Sequence, residues 1–259
     1  MSGRERWELT EPPGGYAPPW PAALALTAVL PPGSWTLVGG LMVQLHALKA
    51  GLDPTRPTQD VDVLLHIETD RITWPSAQAA LIAAGYRLDA GMAKDSLSHR
   101  FRRDADVLDV LIADHVGPWA ISARTGAQPL VSVPGGTSAL RKTVDCVVRR
   151  LDGTQVTISV PNVLGALTLK GGAYREDPRD RDRHLEDGAV LAATVDDADD
   201  LRERHELWTG SDARRIAALA RKLPDQHPAW SQVPRERRAR AQVSLQLLAL
   251  GPSPQRQQL

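Results

Sequence analysis

A chain of 259 residues, 42% hydrophobic and 24% charged, excludes a mini-protein and a coiled coil; no apolar run approaches the roughly 18 residues that cross a bilayer. Thirty-one basic residues balance thirty-one acidic ones, so any contact with nucleic acid has to be local. The single cysteine, Cys146, excludes an internal disulfide and a cysteine-cluster metal site; with no signal-peptide pattern at residues 1–8, it points to a cytoplasmic protein whose metals would sit on oxygen or histidine.

Residues 1–20 carry Pro12-Pro13-Gly14-Gly15 and Pro18-Pro19 and read as a flexible or surface-hugging arm. Pro21 then opens a short helix over 21–26, with proline in its first turn. Residues 35–38 are a β-prone apolar run that ends in Gly39-Gly40, and 41–48 have helical character, giving a strand, a glycine turn and a helix. A polar loop over 53–59 leads into a second strand at 60–67. A helix is expected over 76–84, with Ser76 as its N-cap and Gly85 as its stop. Strands follow at 98–102 and 107–112, then a pair at about 144–150 and 155–160 split by the turn signal Asp152-Gly153. From Pro161 the pattern changes to helices at about 162–174, 182–194, 198–207, 211–222 and 235–250, and the tail 251–259 is expected to be disordered. The expected class is α+β: an α/β domain with a mixed sheet over 21–160, then a helical domain over 161–250.

Asp60-Val61-Asp62 is the most informative triplet. On a strand, residues two apart share a face, so both carboxylates point one way while Val61 and Val63 enter the core. Like charges held together repel unless a cation lies between them, and an all-oxygen site of this kind suits Mg²⁺. The triplet alone reads more readily as a solvated strand edge. Gly39-Gly40 adds backbone N–H groups at the positive end of a helix, where a phosphate can approach closely. Asp109 adds a carboxylate inside the apolar run Val107-Leu108-Asp109-Val110-Leu111. Buried without a partner it would cost several kcal/mol, so it is either a third member of the metal set or the partner of Arg100 or Arg102.

Together, Val38-Gly39-Gly40, Asp60-Val61-Asp62 and Asp109 resemble the nucleotidyltransferase superfamily typified by DNA polymerase β. Leu37-Val38-Gly39-Gly40, then His46, then Arg56-Pro57-Thr58-Gln59-Asp60-Val61-Asp62 is more closely similar to the abortive-infection (AbiEii-like) nucleotidyltransferase toxins. Lys170, then Arg179-Asp180 and Arg183-His184-Leu185-Glu186-Asp187, is similar to that family's lysine helix and charged helix, so the likeness spans roughly residues 35 to 195. His184 stands where many relatives carry aspartate and receives no role; Asp187 rather than Asp182 is favoured as the matching acid, because the apolar face continues from Leu185 to Leu191. The resemblance implies a Mg²⁺-dependent enzyme, with Mn²⁺ able to substitute and a nucleoside triphosphate (NTP) as substrate. Asp60, Asp62 and Asp109 would hold the metals, Gly39 and Gly40 would cradle phosphate, and Lys170 would neutralise it, with Asp187 in support. It further implies the toxin of a toxin–antitoxin pair, with RNA, the tRNA 3′ end foremost, as acceptor and a cognate antitoxin as partner. Transfer to a small hydroxyl compound or a protein side chain, and a non-catalytic nucleotide- or RNA-binding module, remain the alternatives. Arg175, Arg179, Arg181 and Arg183 read equally as an RNA grip and as a solvated face laced with Glu176, Asp177, Asp180 and Asp182.

Other chemistries find no support. The stretch Gly136 to Thr143 has Arg141 where a phosphate-binding loop needs its second glycine. His205-Glu206 lacks the second histidine of a zinc helix. Cys146 among Val144, Val147 and Val148 reads as core, as do Trp208 and Trp230.

Overall fold

The strands nearest the centre of this protein are buried on both faces, which is why their sequences are continuous apolar runs rather than alternating ones. The computed structural model describes residues 4–53, 56–89, 99–116, 130–178 and 180–254. In chain order its first elements are β1 (Arg6–Thr10), α1 (Trp20–Val29), β2 (Trp35–Val38), α2 (Gly39–Lys49), β3 (Val61–Leu65), α3 (Trp74–Ala83), β4 (Arg87–Leu88), β5 (Arg100–Arg103) and β6 (Asp106–Ala113). Then come β7 (Ser132–Val133), α4 (Gly136–Leu140), β8 (Thr143–Arg149) and β9 (Gln155–Pro161). The helices α5 (Val163–Glu176), α6 (Arg181–Ala193), α7 (Ala198–Glu203), α8 (Asp212–Ala220) and α9 (Arg235–Ala249) follow. The protein is thus α+β with a mixed sheet.

The larger sheet has the order β2-β3-β6-β5-β4, with β7 added to the end of β6. Among the described residues of this sheet, the β3–β6 and β6–β7 pairs are parallel and the others antiparallel. Register fixes the chemistry: Val38 lies opposite Asp62, Asp62 opposite Asp109, and Asp109 opposite Arg100. Directly opposed residues point to the same face about 5 Å apart, so these three charged side chains form one row across the sheet.

A second sheet, β1-β8-β9, packs beside β2. The Thr36 hydroxyl joins the two sheets, 2.8 Å from His66 Nε2 and 3.0 Å from the Ser159 hydroxyl. The hairpin between β8 and β9 turns at Asp152-Gly153 as expected: Asp152 Oδ1 accepts from the Thr154 amide at 2.9 Å, and Gly153 takes φ +82°. In the helical half, Asn162 caps α5 by accepting from the Gly165 amide at 3.0 Å. Gly171 lets α5 touch α8, because a Cβ there would overlap the Arg215 carbonyl.

Several expectations require correction. Residues 6–10 are not a flexible arm: β1 pairs parallel with β8, and Trp7 is only 6% exposed. Helix α3 starts two residues earlier than expected, with Thr73 rather than Ser76 as N-cap; Ser76 closes the capping box from inside, and Pro75 fits the first turn. The first helix runs on to Val29, and α2 begins at the glycines themselves. The tail is not free over its first residues, since Arg202 donates to the Gly251 carbonyl at 2.9 Å and the Ser253 amide to Arg202 O at 2.9 Å; residues 255–259 lie outside the described residues. One apolar core runs across the expected boundary near 160, from Trp7 and Leu41 to Leu167, Leu191 and Leu248.

Candidate active site

The glycine pair opens one end of the site. Val38 ends β2 in an extended conformation, and Gly39 turns the chain into α2 at φ +68°, a backbone region that L side chains rarely adopt. A Cβ at Gly39 would overlap the Asp62 carboxylate, and one at Gly40 would come within 2.7 Å of Thr58 Oγ1. No side chain caps the start of α2. The start of α2 thus packs directly against Asp62 and Thr58.

Asp60, just ahead of β3, Asp62 within it and Asp109 in β6 bring one carboxylate oxygen each to within 4.8 Å of one another. Asp109 is buried, while Asp60 and Asp62 are partly exposed. Burial, then the neighbouring charges of Asp60 and Asp109, push the Asp62 carboxyl up to about 7, against the opposing pull of Lys170 and Arg183. Each neighbour is positioned: Thr58 Oγ1 donates to Asp60 Oδ1 at 3.1 Å, and Arg183 lies 3.8 Å from the same oxygen. Arg100 makes a two-pronged contact with Asp109, at 2.8 and 2.7 Å. The two readings of Asp109 hold together, because each carboxylate oxygen accepts more than one bond. Three converging carboxylates within 4.8 Å, an all-oxygen set, are a donor set that fits Mg²⁺ or Mn²⁺.

Across the cleft, Lys170 on α5 and Asp187 on α6 meet at 2.6 Å, their side chains 7% and 4% exposed. Arg56 adds contacts of 3.0 and 3.3 Å to Asp187, and these two cations outweigh burial to hold its carboxyl below the ordinary range. Lys170 is thus in a buried pair rather than a surface one. Asp182 is exposed on the first turn of α6 and takes no part, so Asp187 is the acid that the fold brings inward. A cleft of 610 Å³ joins these groups: Gly39, Asp60, Asp62, Lys170, Arg183 and His184 line one part, and Leu111, Val131, Val133, Pro134, Leu169 and Ala173 form an apolar wall.

Of the four arginines noted in the sequence, Arg183 reaches the site and Arg175 and Arg181 are exposed, whereas Arg179 lies outside the described residues. Sequence reasoning missed Arg56 and Thr58 as working parts, although both lie in the Arg-Pro-Thr-Gln run it singled out. It also missed the apolar wall from β7. Lys142 points away, buried on Asp212 at 3.0 Å and bonded to Ser138, which agrees with rejecting a phosphate-binding loop. Burial pushes the Cys146 thiol up to about 12, so it is no nucleophile. A larger cleft of 680 Å³ opens at the other end of α2, but its charges include the pairs Lys49–Asp196 and Arg204–Asp200, and none of the carboxylate triad faces it. No family model, curated protein or solved structure matches this chain.

Proposed function

We propose that this protein is a divalent-metal-dependent nucleotidyltransferase. The observation that carries the reading is the convergence of Asp60, Asp62 and Asp109 within 4.8 Å, against a helix terminus opened by two glycines. Asp60, Asp62 and Asp109 would hold the ions. When bound, such ions neutralise the triphosphate and act as Lewis acids on the phosphoryl group being transferred.

The chain's own groups then divide the work. The N–H groups at Gly39, Gly40 and Leu41, at a helix start that no side chain caps, donate to phosphate oxygens, with the helix dipole favouring negative charge there. Lys170 supplies a compact positive charge from the opposite wall. Asp187 and Arg56 keep it aimed rather than free to wander, as a buried, hydrogen-bonded charge must be. Arg100 fixes Asp109, which orients the attacking hydroxyl. The apolar wall of Val133, Pro134, Leu169 and Ala173 excludes water and accepts a flat base.

RNA as acceptor, and a role as the toxin of a toxin–antitoxin pair, are supported by the sequence resemblance. Exposed Arg175 and Arg181, flanking the Glu176-Asp177-Pro178 segment that lines the cleft, add positive charge suited to an RNA backbone. The test is incubation with Mg²⁺, each α-labelled nucleoside triphosphate in turn and total RNA. Metal-dependent pyrophosphate release with label on RNA is expected. Label on small molecules or protein alone would overturn the RNA acceptor, and no transfer to any acceptor would overturn the enzyme.

A further inference from the structure

Four cations meet the carboxylates of this site among the described residues, and three of them are locked in place. Arg100 holds Asp109 at 2.8 and 2.7 Å, Arg56 holds Asp187 at 3.0 and 3.3 Å, and Lys170 meets Asp187 at 2.6 Å. Arg183 differs. Its guanidinium straddles two acids, 3.8 Å from Asp60 Oδ1 and 3.5 Å from Asp180 Oδ2, both well beyond the roughly 2.7–2.9 Å of a charge-assisted hydrogen bond. The side chain is 32% exposed and lines the cleft with Gly39, Asp60, Asp62 and Lys170. Asp180, 52% exposed, is a weak competitor for it. A guanidinium carries five N–H donors in one plane. Drawn to two carboxylates yet closely bonded by neither, those of Arg183 are left for an acceptor that enters the cleft.

The position of Arg183 on Asp60 says what displaces it. Asp60 is the carboxylate that a divalent ion would share with Asp62 and Asp109, and Arg183 is the one cation paired with it among the described residues. Its charge also reaches Asp62, where it opposes the upward push of burial. A guanidinium and a divalent ion repel one another when they crowd one carboxylate. A triphosphate arriving with the ion offers anionic oxygens that a guanidinium bonds in pairs. The loose pair with Asp60 is readily exchanged for such bonds, whereas the buried pairs that hold Lys170 and Arg56 on Asp187 are not.

We infer that Arg183 is a movable cation: it balances Asp60 in the metal-free protein and turns to the triphosphate once a divalent ion takes that carboxylate. This rests on the nucleotidyltransferase reading and adds to it an exchange of partners that couples filling of the carboxylate triad to gripping of the phosphates. It also assigns Arg183 to the substrate phosphates rather than to an RNA backbone.

Two binding measurements without acceptor test this, and neither reads turnover. The first titrates Mn²⁺ alone, followed by its paramagnetic resonance. Arg183→Gln should bind Mn²⁺ about threefold to fivefold more tightly than wild type, the upper range for removing a partly exposed ion pair. Arg183→Lys should stay near wild type, as should Arg181→Gln, which removes an exposed charge from the same helix. The second measures inorganic triphosphate, and each nucleoside triphosphate, in saturating Mn²⁺. Arg183→Gln should bind both kinds of ligand about tenfold more weakly, the worth of a charge-assisted hydrogen bond, and lysine should recover part of the loss. The two effects of one substitution have opposite signs, which a residue that merely props the fold would not give. Mn²⁺ binding by Arg183→Gln no tighter than wild type, or unchanged binding of inorganic triphosphate, would overturn the inference while leaving the enzyme reading intact. A wild type that binds no divalent ion would overturn the enzyme reading, and the inference with it.

Discussion

Replacing Asp62 by asparagine should stabilise the metal-free protein at alkaline pH while abolishing transfer. The Asp62 carboxyl is pushed up to about 7 from an ordinary 3.8, chiefly by burial and then by Asp60 and Asp109. A folded pKa above the unfolded one means that the fold prefers the neutral form. The penalty is absent below about pH 4, grows as pH rises, and is complete above about 7. Three pH units at roughly 1.36 kcal/mol each set an upper bound of about 4 kcal/mol, lowered by the partial exposure of Asp62. His46, His66 and His184 are all pushed down to about 4, mainly by burial, and act in the opposite sense, adding stability as pH rises to about 6.5. The measurement is therefore the difference between D62N and wild type at each pH, in which those histidines cancel. In EDTA, D62N should match wild type near pH 4 and melt several degrees higher at pH 8, with a shift of about 2–4 °C per kcal/mol for a chain of this size. Adding Mg²⁺ at pH 8 should raise wild type alone. A variant that melts at or below wild type at pH 8 in EDTA would refute the electrostatic account of the carboxylate cluster.

Gly39→Ala places a Cβ on the Asp62 carboxylate and forces alanine to φ +68°; about 1–2 kcal/mol of backbone strain and a loss of metal-dependent transfer are expected, read by denaturation and by the labelling assay. Asp187→Asn strands Lys170 and Arg56 beside a neutral group and should cost about 3–5 kcal/mol in urea unfolding, so a loss below 1 kcal/mol would contradict the buried cluster. Lys170→Arg should not restore transfer, since a planar fork does not replace a compact ammonium between Asp187 and the cleft; full activity would exclude Lys170 from the site. Trp7→Ala should cost about 3–5 kcal/mol, as for a core residue, whereas a flexible arm would give no change in melting.

Where structure is set by neighbours in the chain, it was legible. The apolar run at 35–38, the glycine stop, the hairpin at Asp152-Gly153 and the helical periodicity after Pro161 each carry a local cause, and all appear within a few residues of expectation. Strand β1 did not, because Arg6-Trp7-Glu8-Leu9-Thr10 is half polar, is followed by prolines and glycines, and finds its partner far along the chain at Asp145 to Arg149. The site divides in the same way. The carboxylates were readable because a two-residue spacing fixes a shared face. Arg56 pairs with Asp187 across 131 positions, and no local pattern announces such a contact. Arg183 was noticed only as one of four arginines, while its loose hold on Asp60 and Asp180 is visible only once the surrounding walls are in place.

The parallel pairing of β1 with β8 also sets a schedule for synthesis. Arg6 leaves the ribosome 139 residues before its partner Asp145, which at roughly 5–20 residues per second is about 7 to 30 seconds. Over that interval Trp7 and Leu9 have no sheet to join, and loop closure across so long a span is slow even once the partner exists. Strand β1 is thus among the last of these elements to be secured, although it is made before the others. Nascent chains stalled before Thr143 should leave residues 6–10 open to a protease, and chains extended past Pro161 should protect them.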